Sequence, residues 1–388
     1  MKFSKKVVIF GPISNYGGRE IEVNIIIKAL QNQYDLSVLS TSYLDENSFV
    51  FQDILKLNWA SLDQMIYSKY NLIKLFSVVS KFYNNGKNKL FAYVNNSLTK
   101  KIYDLDKLYL KEIENQLSNA DCVILCMQLT SKFLRQMVAF CQQKNIPCLV
   151  RTTGTIKQID CNDIDFLKKI NLFIHHSEAN AKNLNQQIKL PYQVIDQCAV
   201  EEQTLLSIIN KEITPLRYGY LGRLSSEKGI IPLIDFFVNT DTTFLFAGDG
   251  PQQQEAIQKI KNAPNCTYLG LIKSKKIADF YEKIDVLIIP SFEESGPLVG
   301  LEAMAAGKII ISTDVGAMKE RLIDLSAFWF DIEKPSSLKL VIDKIALLSE
   351  FEIKTIKQNN RKRYIEKYSL NTISNQYQQL VSLYINHN

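Results

Sequence analysis

The chain has 388 residues, 46% of them hydrophobic, and 46 Lys and Arg against 40 Asp and Glu give a formal net charge of +6. That length exceeds one ordinary core and predicts two domains. It carries no nucleic-acid-binding module and no continuous basic stripe, so nucleic acid is not an expected partner, and no apolar run approaches the ~18 residues of a spanning helix. At the N-terminus, MKFSKK precedes only VVIF before Gly11-Pro12, too short for a signal-peptide core. The seven cysteines form no CxxC pair and several sit in apolar runs such as DCVILCM. They read as reduced thiols of a cytoplasmic protein, neither a disulfide framework nor a zinc site.

In chain order, the first half opens with a predicted strand at 6–10, a loop GPISNYGG and a helical segment REIEVNIIIKAL. Further strands are predicted at 36–40, 121–127, 147–152 and 171–177, with helices between them, the alternation of a parallel doubly wound sheet. Between Lys69 and Lys111, nine lysines meet two acids, Asp104 and Asp106, a local net of +7. Tyr, Phe and Leu recur there at roughly helical spacing, as in YNLIKLFSVVSKFYNNGKNKLFAYV. Two readings stand side by side: a basic amphipathic helix lying on anionic lipid at the inner face of the cell membrane, or a solvated helix whose apolar side packs on its own domain.

A second alternation starts at Leu216: strand RYGYLG, a helix over 229–238, strand TFLFAG, a helix over 251–261, strand TYLGL, helix KKIADFYEK, strand DVLIIPS and a helix after Pro297. The expected architecture is therefore α/β, two Rossmann-like doubly wound parallel-sheet domains facing a central cleft. The boundaries read as 1–205, 206–365 and a tail, 366–388, whose helix packs back on the first domain. RKRYIEKYSLNTISNQYQQLVSLYINH reads as that helix.

Chemistry concentrates at the strand-to-helix loops. Glu294 and Glu302 lie eight positions apart in IPSFEESGPLVGLEAMAAGKIIIST, with Pro297 suited to the first helical position and Gly307 to the helix stop. Amides near Ser295, Gly296 and Leu298 have no intrahelical partner and suit phosphate or sugar oxygens. A lone pair of glutamates in a strand-loop-helix unit is more often a surface residue and a capping residue, so context decides. Gly17-Gly18 let bare backbone approach a phosphate at a helix start. Arg223 and Lys228 in GRLSSEKG supply a guanidinium fork and an ammonium able to share a diphosphate. Gly248 and Gly250 permit close approach of a flat base, and Glu302 can accept both ribose hydroxyls. Two DxD patterns, Asp104-Leu105-Asp106 and Asp163-Ile164-Asp165, fall in helical segments, where a metal role is not expected.

GRLSSEKG, AGDGP and EESGPLVGLEAMAAGK, in this order after a GG loop, resemble the retaining glycosyltransferases of family 4, the glycosyl transferases group 1, over residues 216–325. Over the first 200 residues the similarity is general, carried by the GG loop and NLFIHHSEANAKNL. The resemblance implies the two-domain GT-B fold, a nucleotide diphosphate sugar as donor substrate, no metal and no other cofactor, and a glycan or lipid-linked acceptor. It implies that Arg223 and Lys228 bind the donor diphosphate, that Glu294 lies by the transferred sugar, and that Glu302 holds the ribose. The amides from Gly296 to Val299, with Ser295, Leu298 and Leu271, belong to the implied donor site, and Gly17 and Gly18 face the diphosphate from the acceptor half. Ser177 sits where the family has a serine after a strand.

The sequence also departs from the family. Thr153 in IPCLVRTTG stands where the family has a catalytic-site histidine, leaving Arg151 or Thr153 to contact the sugar. Gly296-Pro297 replaces Phe-Gly, which removes one phosphate-facing N–H, and VIDQCAVEE lacks the usual Asn-Gly turn. The expected function is transfer of a hexose-type sugar from a UDP or GDP sugar in bacterial surface polysaccharide assembly. The alternatives are a nucleotide-sugar epimerase or hydrolase, and a non-catalytic partner subunit. A dinucleotide oxidoreductase fits poorly, because GPISNYGG is not GxGxxG.

Overall fold

The computed structural model describes residues 5–386 except 55, 155, 157 and 211–214. His387 of the expected tail helix, and 211–214 of the expected interdomain join, lie outside the described residues. The strands are β1 (Lys6–Gly11), β2 (Asp35–Ser40), β3 (Asn58–Ser61), β4 (Cys122–Met127), β5 (Cys148–Thr152), β6 (Leu172–His175), β7 (Tyr192–Val194), β8 (Tyr218–Leu221), β9 (Phe244–Ala247), β10 (Cys266–Tyr268), β11 (Val286–Ile289), β12 (Ile309–Ser312) and β13 (Phe328–Trp329). Helices of the first half are α1 (Gly18–Leu30), α2 (Leu62–Lys69), α3 (Asn71–Tyr83), α4 (Ser97–Ile102), α5 (Leu105–Leu117), α6 (Leu134–Gln143), α7 (Ile164–Leu167) and α8 (Glu178–Asn185). They are followed by α9 (Glu202–Leu206), α10 (Ile230–Phe237), α11 (Gln253–Lys259), α12 (Ile277–Tyr281), α13 (Leu298–Ala305), α14 (Met318–Arg321), α15 (Pro335–Ala346), α16 (Glu350–Tyr368) and α17 (Leu370–Asn386).

Two compact units result. The first comprises the chain up to His175, Ala181–Ile195 and Ser374 onward, and the second comprises His176–Asn180 and Asp196–Ile373. The division falls at Ile195–Asp196, before the join expected from sequence, because Asp196 is pinned to Arg321 inside the second unit.

The first unit holds a seven-stranded sheet in the order β3-β2-β1-β4-β5-β6-β7, every pairing parallel. Its centre is fully apolar: Val7 to Phe10 and Cys122 to Met127 are buried, as a strand covered on both faces requires. Each large aliphatic so buried contributes roughly 1.5–3 kcal/mol. The edge strands β3 and β7 were not legible as strands, since neither carries a continuous apolar run.

Helix α1 is buried on nearly all sides, including Glu20, Glu22 and Asn24. Each of these polar side chains is matched. Asn24 Nδ2 donates to the carbonyls of Val50 and Gln52 at 3.0 and 2.9 Å, and Glu20 accepts from Ser14 N and Oγ at 2.6 and 2.9 Å, closing the loop after β1. Glu22 accepts from Arg151 Nη2 at 3.0 Å and from Tyr377 Oη at 2.8 Å. Tyr377 belongs to α17, and Gln378 of that helix donates to Ala29 O at 2.7 Å, so the last helix is part of the first unit's core. The tail is two helices and not one. Ser369 has extended backbone, ψ 151°, and caps the second with its hydroxyl on Thr372 N at 3.3 Å.

The second unit holds a six-stranded parallel sheet, β10-β9-β8-β11-β12-β13. Both orders run outward in opposite directions from a central pair, β1 with β4 and β8 with β11. Ligands of such sheets bind at that reversal, beyond the carboxyl ends of the strands.

Replacing Glu22 by Ala strands the fully buried Arg151 without its carboxylate and is expected to cost about 3–5 kcal/mol. Urea unfolding followed by circular dichroism reads this as a lowered midpoint, and an unchanged midpoint would contradict the pairing.

Candidate active site

In the second unit the loop after β8 and the loop after β11 lie side by side because their strands are paired, Tyr218 opposite Val286 and Gly219 opposite Leu287. Phe292 N donates to Glu227 O at 2.9 Å, tying one loop to the other. Gly229 fits only without a side chain, since its φ is +68° and a Cβ would stand 2.1 Å from Pro290 O. Across this junction Lys228 Nζ is ion-paired with Glu294 Oε1, and Ser291 Oγ donates to the same oxygen at 3.2 Å. Both charged side chains keep some exposure, 25% for Lys228 and 17% for Glu294. Arg223, five residues before Lys228, is exposed.

Pro297 is the residue before α13 and not its first helical position, because its ψ of 114° is extended. Its carbonyl accepts from Gly300 N at 3.1 Å and from Arg321 Nη1 at 2.5 Å. The Leu298 and Val299 amides open the helix and lack intrahelical acceptors by position. Ser295, Gly296, Leu298 and Val299 are all half-buried, so this backbone is reachable.

Glu302, one turn into α13, is only 3% exposed. Tyr281 Oη donates toward its Oε2 at 3.2 Å and toward Val299 O at 3.1 Å, while Oε1 accepts from no described residue. Burial pushes this carboxyl up to about 8, against the lowering effect of the Tyr281 hydrogen bond.

Sequence reasoning missed the residues that hold this loop. Arg321 is completely buried and forks onto Asp196, Nε to Oδ2 at 2.8 Å and Nη2 to Oδ1 at 2.7 Å. Gly316, with φ +51°, lies where a Cβ would be 2.6 Å from Ser295 O, so the loop before α14 presses directly on the Glu294-Ser295 backbone. A positive-φ glycine after a strand was a readable signal. The Asp196–Arg321 pair spans 125 residues and had none.

Other predicted residues have different settings. The Cβ positions of Gly248 and Gly250 are occupied by the carbonyls of Gly222 and Leu224, at 1.8 and 2.4 Å, so these glycines serve close packing of two loops, with Leu224 N bonded to Asp249 O at 2.9 Å. Leu271 is 70% exposed. Ser177 is buried, its hydroxyl accepting from Asn180 N at 3.1 Å as a helix cap. In the first unit, Gly17 has φ +146° and the Cβ position of Gly18 is open, at the exposed start of α1. Arg151 is wholly buried, with Nη1 on Ile195 O at 2.5 Å and Nη2 on Glu22 at 3.0 Å. Thr153 is half-buried and receives Arg19 Nη2 at 3.3 Å. Asp104 caps α5 through Lys107 N at 3.1 Å, Asp106 pairs with Lys132, and Asp163 pairs with Arg135. No group of three metal-ligating side chains occurs among the described residues.

Residues 203–365 match the model of the family described as Glycosyl transferases group 1. This stretch is a group 1 glycosyltransferase domain. An uncharacterized glycosyltransferase of Methanocaldococcus jannaschii is 30% identical over 173 residues, 42% of this chain and 48% of that one. The lipopolysaccharide 1,2-N-acetylglucosaminetransferase of Salmonella typhimurium is 26% identical over 176 residues, 41% of this chain and 46% of that one. The chain thus spans a little under half the length of these curated relatives. Among solved structures, a Rickettsia africae glycosyltransferase matches with TM-score 0.73 at 16% identity over the whole of both chains. Anabaena HepE, crystallised with UDP, matches with TM-score 0.72 at 16% identity, over 97% of this chain and 99% of that one. These likenesses establish the fold, two parallel-sheet α/β units of the GT-B class, with Lys228, Glu294 and Glu302 inside the group 1 domain.

The raised Glu302 carboxyl has a signed consequence. The folded protein keeps a proton that the unfolded chain gives up near pH 4.5, so this group's stabilisation is complete below that pH and is lost as pH rises through about 8. In ligand-free protein, Glu302→Gln is expected to flatten the fall in melting temperature between pH 6 and pH 9. Parallel profiles for the two proteins in differential scanning calorimetry would contradict the assignment.

Proposed function

We propose that this chain is a retaining glycosyltransferase of family 4. It moves a hexose-type sugar from a UDP or GDP sugar to a glycan or lipid-linked saccharide in bacterial surface polysaccharide assembly, lipopolysaccharide or capsule, on the cytoplasmic side of the membrane. The observation that carries the reading is the Lys228–Glu294 pair beside exposed Arg223 and the opening amides of α13, one helical turn from a buried carboxylate. A nucleoside diphosphate sugar offers what that set recognises: negative oxygens for cations and amides, sugar hydroxyls for Glu294, and ribose hydroxyls for Glu302. The names of relatives are consistent with this, one transferring N-acetylglucosamine to lipopolysaccharide and one crystallised with UDP.

The chemistry follows from where charge grows. As the bond from the anomeric carbon to the phosphate oxygen breaks, its electron pair goes to the diphosphate. Lys228, with three N–H donors, can keep Glu294 and still bind phosphate, while Arg223 and the helix amides take the remaining charge. The acceptor hydroxyl approaches from the face the leaving group departs, and its proton passes to the released phosphate oxygen, so configuration is retained. Glu302 must ionise to accept two hydroxyls, so donor affinity rises with pH toward about 8.

A thermal-shift screen tests the donor site, since a ligand bound only to the folded state stabilises by about 2.7 kcal/mol at a hundredfold excess over Kd. UDP or GDP and their sugars are expected to raise the melting temperature, and Lys228→Ala to abolish the rise while lowering acceptor-dependent transfer roughly 100-fold or more. No response to any of these compounds would overturn the reading, and sugar release without acceptor would point to a hydrolase.

A further inference from the structure

Helix α3 shows two apolar faces where a helix packed on its own domain needs one. Ile73 and Ser77 point inward and are buried, Ser77 Oγ donating to Ile73 O at 2.8 Å. On the opposite side Leu72, Leu75, Val79 and Phe82 recur at helical spacing, 50%, 57%, 48% and 78% exposed, and Tyr83 beside them is 89% exposed. Single exposed apolar residues are ordinary, but a continuous stripe on one helix marks a contact surface. Helix α4 packs next to α3, with Tyr70 and Tyr103 ring centroids 5.7 Å apart, and adds exposed Leu98 and Ile102.

The charge around the stripe identifies what it meets. From Asn71 to Tyr103 there is no acidic residue and there are six lysines. Lys74 and Lys81 flank the stripe between its outer and inner faces. Lys74, Lys81, Lys87, Lys100 and Lys101 have no carboxylate partner among the described residues, whereas Lys69 and Lys89 are already paired, with Glu112 and Glu46. Lys100 and Lys101 also border a cavity of about 620 Å³ whose lining includes Asp104 and Asp106, the latter paired with Lys132, so the two lysines meet phosphate from the outer surface and not inside it. A soluble protein partner able to satisfy only the apolar stripe would leave these ammonium groups uncompensated. A bilayer with anionic headgroups satisfies both, burying leucine and phenylalanine in the acyl boundary while lysines reach phosphate.

We propose that α3 and α4 form a docking face for an anionic lipid bilayer, with Leu72, Leu75, Val79, Phe82 and Tyr83 inserted and Lys74, Lys81, Lys100 and Lys101 on headgroup phosphates. This deepens the membrane setting of the proposed function, yet it is read without sugar transfer, so failure of one leaves the other standing. Among the described residues no helix is long and apolar enough to cross a membrane, so the proposed face rests on the surface and releases with salt.

The test is co-sedimentation of the full chain with phosphatidylcholine vesicles, with and without phosphatidylglycerol. Binding is expected only to vesicles containing phosphatidylglycerol, falling roughly tenfold or more in Leu75→Glu/Phe82→Glu and in Lys74→Glu/Lys81→Glu. Both variants change surface side chains, so their melting temperatures and nucleotide response should match the parent. Equal binding to both vesicle types, or to neither, would overturn the proposal. So would a dimer in gel filtration that Leu75→Glu dissociates, because a second copy would then own the stripe.

Discussion

The parallel pairing of β8 with β11 is the constraint on which the candidate site depends. Strands distant in sequence become neighbours at the point where the sheet order reverses, and there the connections after them lead away in opposite directions and leave a crevice between the two loops. Everything charged in the site follows from that adjacency. Lys228 rides on the first loop and Glu294 on the second, and the Phe292 to Glu227 hydrogen bond fixes their separation. Gly229 contributes by being small, because any side chain would push the two loops apart at Pro290.

The second loop is held from behind as well. Arg321 is buried with both of its forks occupied, and one of its nitrogens grips the Pro297 carbonyl at the start of α13. An uncompensated guanidinium in such a place would cost several kcal/mol, so Asp196 is as necessary to the loop as Arg321 itself. Gly316 closes the same loop from a third side. The departures from the family pattern thereby gain a physical setting: where Pro297 gives up an N–H, its carbonyl becomes the fixed point, and where VIDQCAVEE lacks an Asn-Gly turn, Asp196 anchors the segment.

What could be read from the sequence was what is local. Buried strands with unbroken apolar runs, β1, β4, β5, β8, β9, β11 and β12, announce themselves, and loops attached to them carry their residues to predictable ends. Lys228, Glu294 and Glu302 were legible for that reason. The short edge strands β3, β7 and β13 were not, because a strand covered on one side needs no apolar run. The break at Ser369 was hidden inside a periodic segment, and only the capping hydroxyl reveals it. The setting of Arg151 was hidden because its carboxylate partner, Glu22, lies 129 positions away and is itself held by Tyr377 from the last helix, and burial depends on such neighbours. The basic segment was ambiguous in sequence for a related reason: helical spacing of apolar residues does not say which of two faces the core takes, and α3 has one for each.

In the proposed donor site, burial and recognition oppose each other at Glu302. A carboxyl kept neutral by its surroundings is poor at accepting two hydroxyls until it ionises, so the ligand must supply the polar surroundings that water no longer gives. A crystal structure of the protein with bound UDP or GDP tests this account most directly. The expected result places the diphosphate on Arg223, Lys228 and the amides of Leu298 and Val299, with both ribose hydroxyls on Glu302. A nucleotide bound elsewhere, or one whose phosphates avoid Lys228, would contradict it.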